Sequence, residues 1–200
     1  MTPEMRRIVA EAKAAARDGW SDEAVASLAE STRGLTIEDV ELERLLNLPV
    51  ADHGFREEVF MTDPSFHASV FAIAAGETIP LHDHPSLDVI SKVLRGRIRV
   101  RTYEWIDAKS LLARECGEIV LGPDDDAFVL RKSPGTLHTI TALEPTAFLD
   151  LFAPYYDDVL RPCSYYKVDG LPRCQVAEPA TRQPGNLVTL RVVTWEEARR

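Results

Sequence analysis

The feature that most constrains this chain is a change of hydrophobic period near residue 54. Before it, apolar residues recur at helical spacing; after it, short runs of β-branched and aromatic residues alternate with turn signals. A series of short strands buries its apolar faces only by packing two sheets together or by closing a barrel. The strand-like runs are Phe66–Ile73, Asp88–Leu94, Ile98–Trp105, Glu118–Leu121, Ala127–Arg131, Leu137–Ala142, Ala147–Phe152, Tyr165–Val168 and Leu187–Val193. Arg95-Gly96 reads as a hairpin turn between the second and third of these. Val176 to Gly185 holds two prolines and reads as surface loop, and Thr194-Trp-Glu-Glu197 opens a short terminal helix.

Upstream, Pro3 suits a first helical turn, and Met5, Ile8, Val9 and Ala12 form a stripe. Ser21-Asp-Glu23 begins a second helix with Val25, Leu28 and Ala29 on one face. Thr36-Ile-Glu-Asp39 caps a third, running through Leu42, Leu45 and Leu46. These stripes predict packing against the rest of the protein. With 200 residues and no internal repeat, the expectation is an N-terminal helical segment, residues 1–50, packed on a mainly β domain, residues 51–200.

The net charge of −9 argues against nucleic-acid or anionic-membrane partners, which need a basic surface. Three cysteines, Cys116, Cys163 and Cys174, with no CxxC pair, are no disulfide framework and point to a reducing, cytoplasmic setting. The first twenty residues lack the apolar core of a secretory signal, and no run of about 18 apolar residues is present. The basic residues Arg95, Arg97, Arg99 and Arg101 alternate with Ile98 and Val100, the pattern of a strand with one solvated face.

Two of the five histidines stand as His82-Asp-His84. In a strand, residues i and i+2 share a face, roughly 6.5 to 7 Å apart, so two such imidazoles can converge on one ion. His138 lies in a later run that an antiparallel barrel can bring alongside; His53 and His67 have no comparable spacing. HxH alone equally describes a polar loop. The surrounding pattern adds weight: Gly76, HxH and Gly96 resemble the first cupin motif, and Pro134-Gly-Thr-Leu-His138 resembles the second. Asp88 stands where many cupins carry a glutamate ligand, and Ala142 where many carry asparagine. The expectation is a three-histidine site with Asp88 outside it.

Longer words are more specific. Ile79-Pro-Leu-His-Asp-His-Pro85, Ser91-Lys-Val-Leu-Arg-Gly96, Tyr103-Glu-Trp105, Leu137-His-Thr-Ile-Thr-Ala142, Phe148-Leu-Asp-Leu-Phe-Ala-Pro-Tyr-Tyr156 and Cys163-Ser-Tyr-Tyr166 resemble, in order, the cysteamine dioxygenase and plant cysteine oxidase family. The resemblance covers about residues 55 to 168. It implies a cupin-type double-stranded β-helix, a jelly-roll barrel, with an N-terminal helical segment. It also implies a non-haem Fe(II) thiol dioxygenase that adds O2 to cysteamine or to an N-terminal cysteine peptide, releases a sulfinic acid, and acts as a monomer. By motif position the iron ligands fall on His82, His84 and His138, a supporting carboxylate on Asp150 and an active-site tyrosine on Tyr156. Some members join a cysteine to a tyrosine, positions that here are Cys163 and Tyr165. Where relatives often have Pro-Pro-Tyr, this chain has Pro154-Tyr-Tyr156.

The residue types suit that chemistry. Three neutral imidazoles leave an ion's charge intact and one side of it open, which favours an anionic thiolate. Asp150 alternates with Leu149 and Leu151 and shares a face with Phe148 and Phe152, so it is expected to be partly buried and in need of a partner, either a metal-binding histidine or the substrate amine. Tyr156 reads equally as a hydrogen-bond donor to substrate or as a wall residue. Cys163 and Tyr165, two apart, share a strand face but rarely touch, and are expected to be an unlinked buried cysteine and a core tyrosine. Two other functions fit the same barrel: a metal cupin acting as an isomerase or a carbon-directed dioxygenase, and a non-catalytic small-ligand binder.

Overall fold

Thr2 and Ser21 open the two N-terminal helices. The Thr2 hydroxyl accepts from the Met5 N–H at 3.3 Å and starts α1 (Pro3–Arg17); that of Ser21 accepts from Ala24 at 3.2 Å and starts α2 (Asp22–Ser31). The computed structural model describes residues 1–41, 54–132, 136–155, 162–170 and 187–200. The expected third helix falls partly outside them: residues 37–41 form turns, with the Asp39 carboxylate accepting from the Thr36 N–H at 2.9 Å, while Leu42, Leu45 and Leu46 are not described. The expected loop from Val176 to Gly185 also lies outside the described residues.

The remainder is mainly β: β1 (Phe55–Asp63), β2 (Phe66–Ile73), β3 (Thr78–Asp83), β4 (Asp88–Arg95), β5 (Ile98–Asp107), β6 (Leu112–Leu121), β7 (Phe128–Leu130), β8 (His138–Ala142), β9 (Thr146–Ala153), β10 (Ser164–Gly170) and β11 (Leu187–Val193). A last turn of helix, α3 (Trp195–Ala198), follows a Thr194/Glu197 capping box. The strands form two antiparallel sheets. One has the order β1-β2-β9-β4-β7; the other runs β10-β11-β6-β5-β8-β3, with β3 also pairing β10 at Tyr165↔His82. No helix among the described residues is long and apolar enough to cross a membrane.

Alternation along β9 sets the layers. Ala147, Leu149, Leu151 and Ala153 pack with Ile8, Ala12, Val25 and Leu28 of the helices. The helical stripes therefore cover the outer face of the first sheet, as their spacing predicts. Phe148, Asp150 and Phe152 point the other way, Phe148 into a cluster with Ile98, Val100 and Ile140 of the second sheet. Burying one large side chain such as Phe148 contributes roughly 2–3 kcal/mol.

Arg95-Gly96 is not a hairpin. β4 pairs with β9 and β7, whereas β5 pairs with β6 and β8, so the connection crosses from one sheet to the other. Gly96 is required there: its φ is +76°, and a Cβ would lie 2.5 Å from the Pro145 carbonyl oxygen. The arginines of β5 meet acids on the neighbouring strand: Arg99 with Glu118 at 3.0 Å and Arg101 with Glu118 at 2.9 Å. These are cross-strand pairs on an exposed face, as the alternation predicts.

Candidate metal centre

Pro80 shapes the strand that carries the first two histidines. It has no N–H, and the β3–β8 ladder shifts register between Ile79 and His82, across that residue. The shift leaves His82 opposite His138, the first residue of β8. The chain then turns after β3, where the Leu87 N–H reaches the His84 carbonyl at 3.2 Å. Thr136 clasps that turn. Its hydroxyl accepts from the His84 N–H at 2.7 Å and donates to the His84 carbonyl at 3.1 Å.

The three histidines named by the sequence come together. One ring nitrogen from each of His82, His84 and His138 lies within 4.8 Å of the other two. Ring centroids are 4.1 Å apart for His82 and His138, and 4.9 Å for His82 and His84. All three are buried. The His82 Nδ1 donates to the Pro80 carbonyl at 2.7 Å, and the His138 Nδ1 to the Thr136 carbonyl at 2.6 Å. A neutral imidazole carries one proton, so these bonds place it on Nδ1 and leave Nε2 as the lone-pair donor. Burial pushes His82 down to about 4. Burial, and then repulsion among the rings, holds His84 and His138 well below the usual imidazole value. Three neutral, convergent nitrogen donors fit a first-row divalent ion.

Asp88 is turned elsewhere. Its Oδ1 accepts from the Lys132 N–H at 2.7 Å and its Oδ2 lies 3.5 Å from Arg131. Asp83, between the two histidines, faces away from them: its Oδ2 accepts from the Tyr166 hydroxyl at 3.0 Å and its Oδ1 from the Ser164 N–H at 3.2 Å. This carboxylate fastens β10 to the histidine strand.

A cavity of about 320 Å³ opens beside the cluster, bordered by His82, His84, Asp150, Phe152, Cys163 and Tyr165 together with Glu57, His67 and Phe71. Asp150 is only 4% exposed and its Oδ1 has no hydrogen-bond partner among the described residues. Burial, then the nearby Glu57 charge, raises its carboxyl to about 7, with Ser91 pulling the other way. Tyr156 lies outside the described residues. Cys163 and Tyr165 depart from expectation: both border the cavity, and the tyrosine ring sits 6.0 Å from that of His82. Tyr166, one residue on, is the core tyrosine. Sequence spacing missed Glu57, His67 and the Thr136 clasp. His67 and Ser69 share a strand face, but a lone i, i+2 pair carries no signal of its own.

The sequence model of the PCO_ADO family matches residues 55–198. Human 2-aminoethanethiol dioxygenase is 34% identical over 137 residues, which is 55% of this chain and 50% of that one. Plant cysteine oxidase 1 of Arabidopsis thaliana is 29% identical over 109 residues, 50% of this chain and 37% of that one. The chain thus spans half or less of the length of these curated relatives. Among solved structures, KdgF from Halomonas sp. aligns with a TM-score of 0.44 at 28% identity, over 56% of this chain and 91% of that one.

Proposed function

The chain belongs to the PCO_ADO family, and on that premise we propose that it is a non-haem Fe(II) thiol dioxygenase. Its substrate is cysteamine or another small aminothiol, or an N-terminal cysteine peptide, and its product a sulfinic acid. The fold we assign is the cupin double-stranded β-helix, with the helical segment of residues 1–50 packed on the barrel. The observation that carries the reading is the buried convergence of His82, His84 and His138 beside a cavity bordered by the buried Asp150, whose Oδ1 has no hydrogen-bond partner among the described residues.

Bound Fe(II) would supply the redox chemistry that joins O2 to sulfur. The protein's part is positional. His82, His84 and His138 would hold the ion, with the Pro80 and Thr136 carbonyls fixing two of the rings. Asp150 offers Oδ1 to the substrate's ammonium group, which supplies the partner that a buried carboxylate needs. Phe71, Phe152 and Ile140 wall the cavity and keep water from the reacting sulfur. By motif position we assign Tyr156 the part of the family's active-site tyrosine. The sparse cysteines of the sequence support a reducing, cytoplasmic setting, and the family membership supports a monomer.

The test is anaerobic loading with Fe(II), then oxygen uptake and product mass with cysteamine, free cysteine and a Cys-initiated peptide. The reading requires a gain of two oxygen atoms on at least one thiol. Iron bound with no uptake on any thiol would move the assignment to another cupin chemistry.

A further inference from the structure

The cavity holds two acids at different depths, and among the described residues no lysine or arginine borders it. Asp150 is buried, and its Oδ1 has no hydrogen-bond partner among the described residues. Glu57, on the edge strand β1, is exposed at the mouth. An exposed glutamate ordinarily swings freely, yet this one is tethered. Its Oε1 accepts the Ser69 hydroxyl proton at 2.6 Å, and His67 Nε2 lies 2.8 Å from the same Ser69 oxygen. A serine has one proton to give; with that proton on Glu57, Ser69 accepts from His67, so Nε2 carries hydrogen. The chain of donors therefore runs in one direction, His67 to Ser69 to Glu57. Ser69 is fully buried and His67 nearly so. Two buried polar side chains thus fix one rim carboxylate in place. Ser69 also pairs with Asp150 across β2 and β9, which puts the tether and the deep acid in one row of the sheet.

We infer that Glu57, oriented by Ser69 and His67, is a specificity residue that reads the charge of the substrate beyond its amine and disfavours an anionic group there. The inference rests on the thiol dioxygenase reading for the identity of the substrate. With sulfur at the histidines and the ammonium at Asp150, whatever follows the aminothiol unit leaves by the mouth, where Glu57 stands. A carboxylate or an acidic second residue meets a like charge; an amide, ester or basic residue does not. The mouth is partly solvated, so the discrimination is modest and salt-dependent, on the order of threefold to tenfold at low ionic strength.

The experiment uses pairs matched in everything but that charge: cysteine against its methyl ester, and Cys-Glu against Cys-Lys peptides otherwise identical. Selectivity is the kcat/KM ratio within a pair, compared between wild type, Glu57→Gln and Ser69→Ala. Glutamine keeps the hydrogen bond from Ser69 and removes only the charge. The expected result is a wild-type preference for the ester and the lysine peptide, carried in KM, shrinking in high salt and collapsing toward unity in Glu57→Gln, with Ser69→Ala between. Equal rates within both wild-type pairs, or a preference that Glu57→Gln retains in full, would overturn the inference. Ligand-observed NMR of the same pairs on protein without metal provides a readout independent of turnover. If no thiol is oxidised but binding follows the same order and responds to Glu57→Gln, the dioxygenase reading fails and the charge-reading rim stands. If neither turnover nor binding depends on Glu57, the rim assignment fails whatever the enzyme does.

Discussion

Replacing Asp150 with asparagine isolates the energy of holding an ionisable carboxyl buried beside the cavity. Burial raises this group from its ordinary value of 3.8 to about 7, a difference of about 3 units, or about 4 kcal/mol at 1.36 kcal/mol per unit. The sign follows from proton linkage. A carboxyl whose folded value is raised binds more protons in the folded state, so its contribution is fully favourable below the unfolded value and is lost as pH rises through the folded one. Between pH 5 and pH 8 the metal-free wild type should therefore lose about 2–3 kcal/mol relative to Asp150→Asn, which is similar in shape and does not ionise. An asparagine amide has its own burial cost of about 1–2 kcal/mol, but that cost is the same at both pH values and cancels in the comparison. Urea unfolding of both proteins at pH 5 and pH 8, without metal, gives the four free energies required. If the wild-type and Asp150→Asn difference does not change with pH, Asp150 is not a buried acid with a raised pKa, and its role as the seat of a substrate ammonium loses its physical basis.

Other outcomes follow from the same structure. Thr136→Val removes the hydroxyl that clasps the His84 backbone; metal affinity should fall about tenfold or more, measured by Fe(II) titration under anaerobic conditions. Burial depresses His82 from 6.5 to about 4. A depressed folded value means stability lost as pH falls through that window, about 3 kcal/mol from His82 alone. Asp150 titrates in the opposite sense over the same range, so the comparison is made in Asp150→Asn: that variant, free of metal, should melt at lower temperature at pH 4.5 than at pH 7, and unchanged melting there would contradict neutral buried imidazoles. Gly96→Ala places a Cβ against the Pro145 carbonyl in a left-handed backbone and should cost about 2 kcal/mol or more in chemical unfolding.

How far this could be read from the chain depended on the range of the interactions. Runs of β-branched and aromatic residues set between turn signals located Phe66–Ile73 and Leu187–Val193 with the bounds they have, because that composition is local to each strand. β1 escaped notice because its glutamates and exposed Val59 blur the alternation of an edge strand. Gly96 looked like a hairpin turn because glycine marks positive φ wherever it occurs; only the pairing of β4 with β9 shows that the chain changes sheets. The histidines were legible because HxH is local and His138 sits in a motif. The Glu57–Ser69–His67 tether was not, since the Ser69 contact with Glu57 is made across two paired strands whose register the chain does not announce. Tyr165 and Tyr166 are adjacent tyrosines in sequence, yet one borders the cavity and the other the core. Strand parity decides between them, and parity is fixed by pairing with His82.

The central claim is that His82, His84 and His138 hold Fe(II) and that the site joins O2 to a thiol. Its most direct test is turnover of cysteamine and of a Cys-initiated peptide under isotopically labelled O2, with iron content and product mass determined for wild type and His138→Ala. The account predicts a sulfinic product whose two added oxygens both carry the label, and loss of iron and product together in the variant. A disulfide as the only product, a product with unlabelled oxygen, or full iron and turnover in His138→Ala would contradict it.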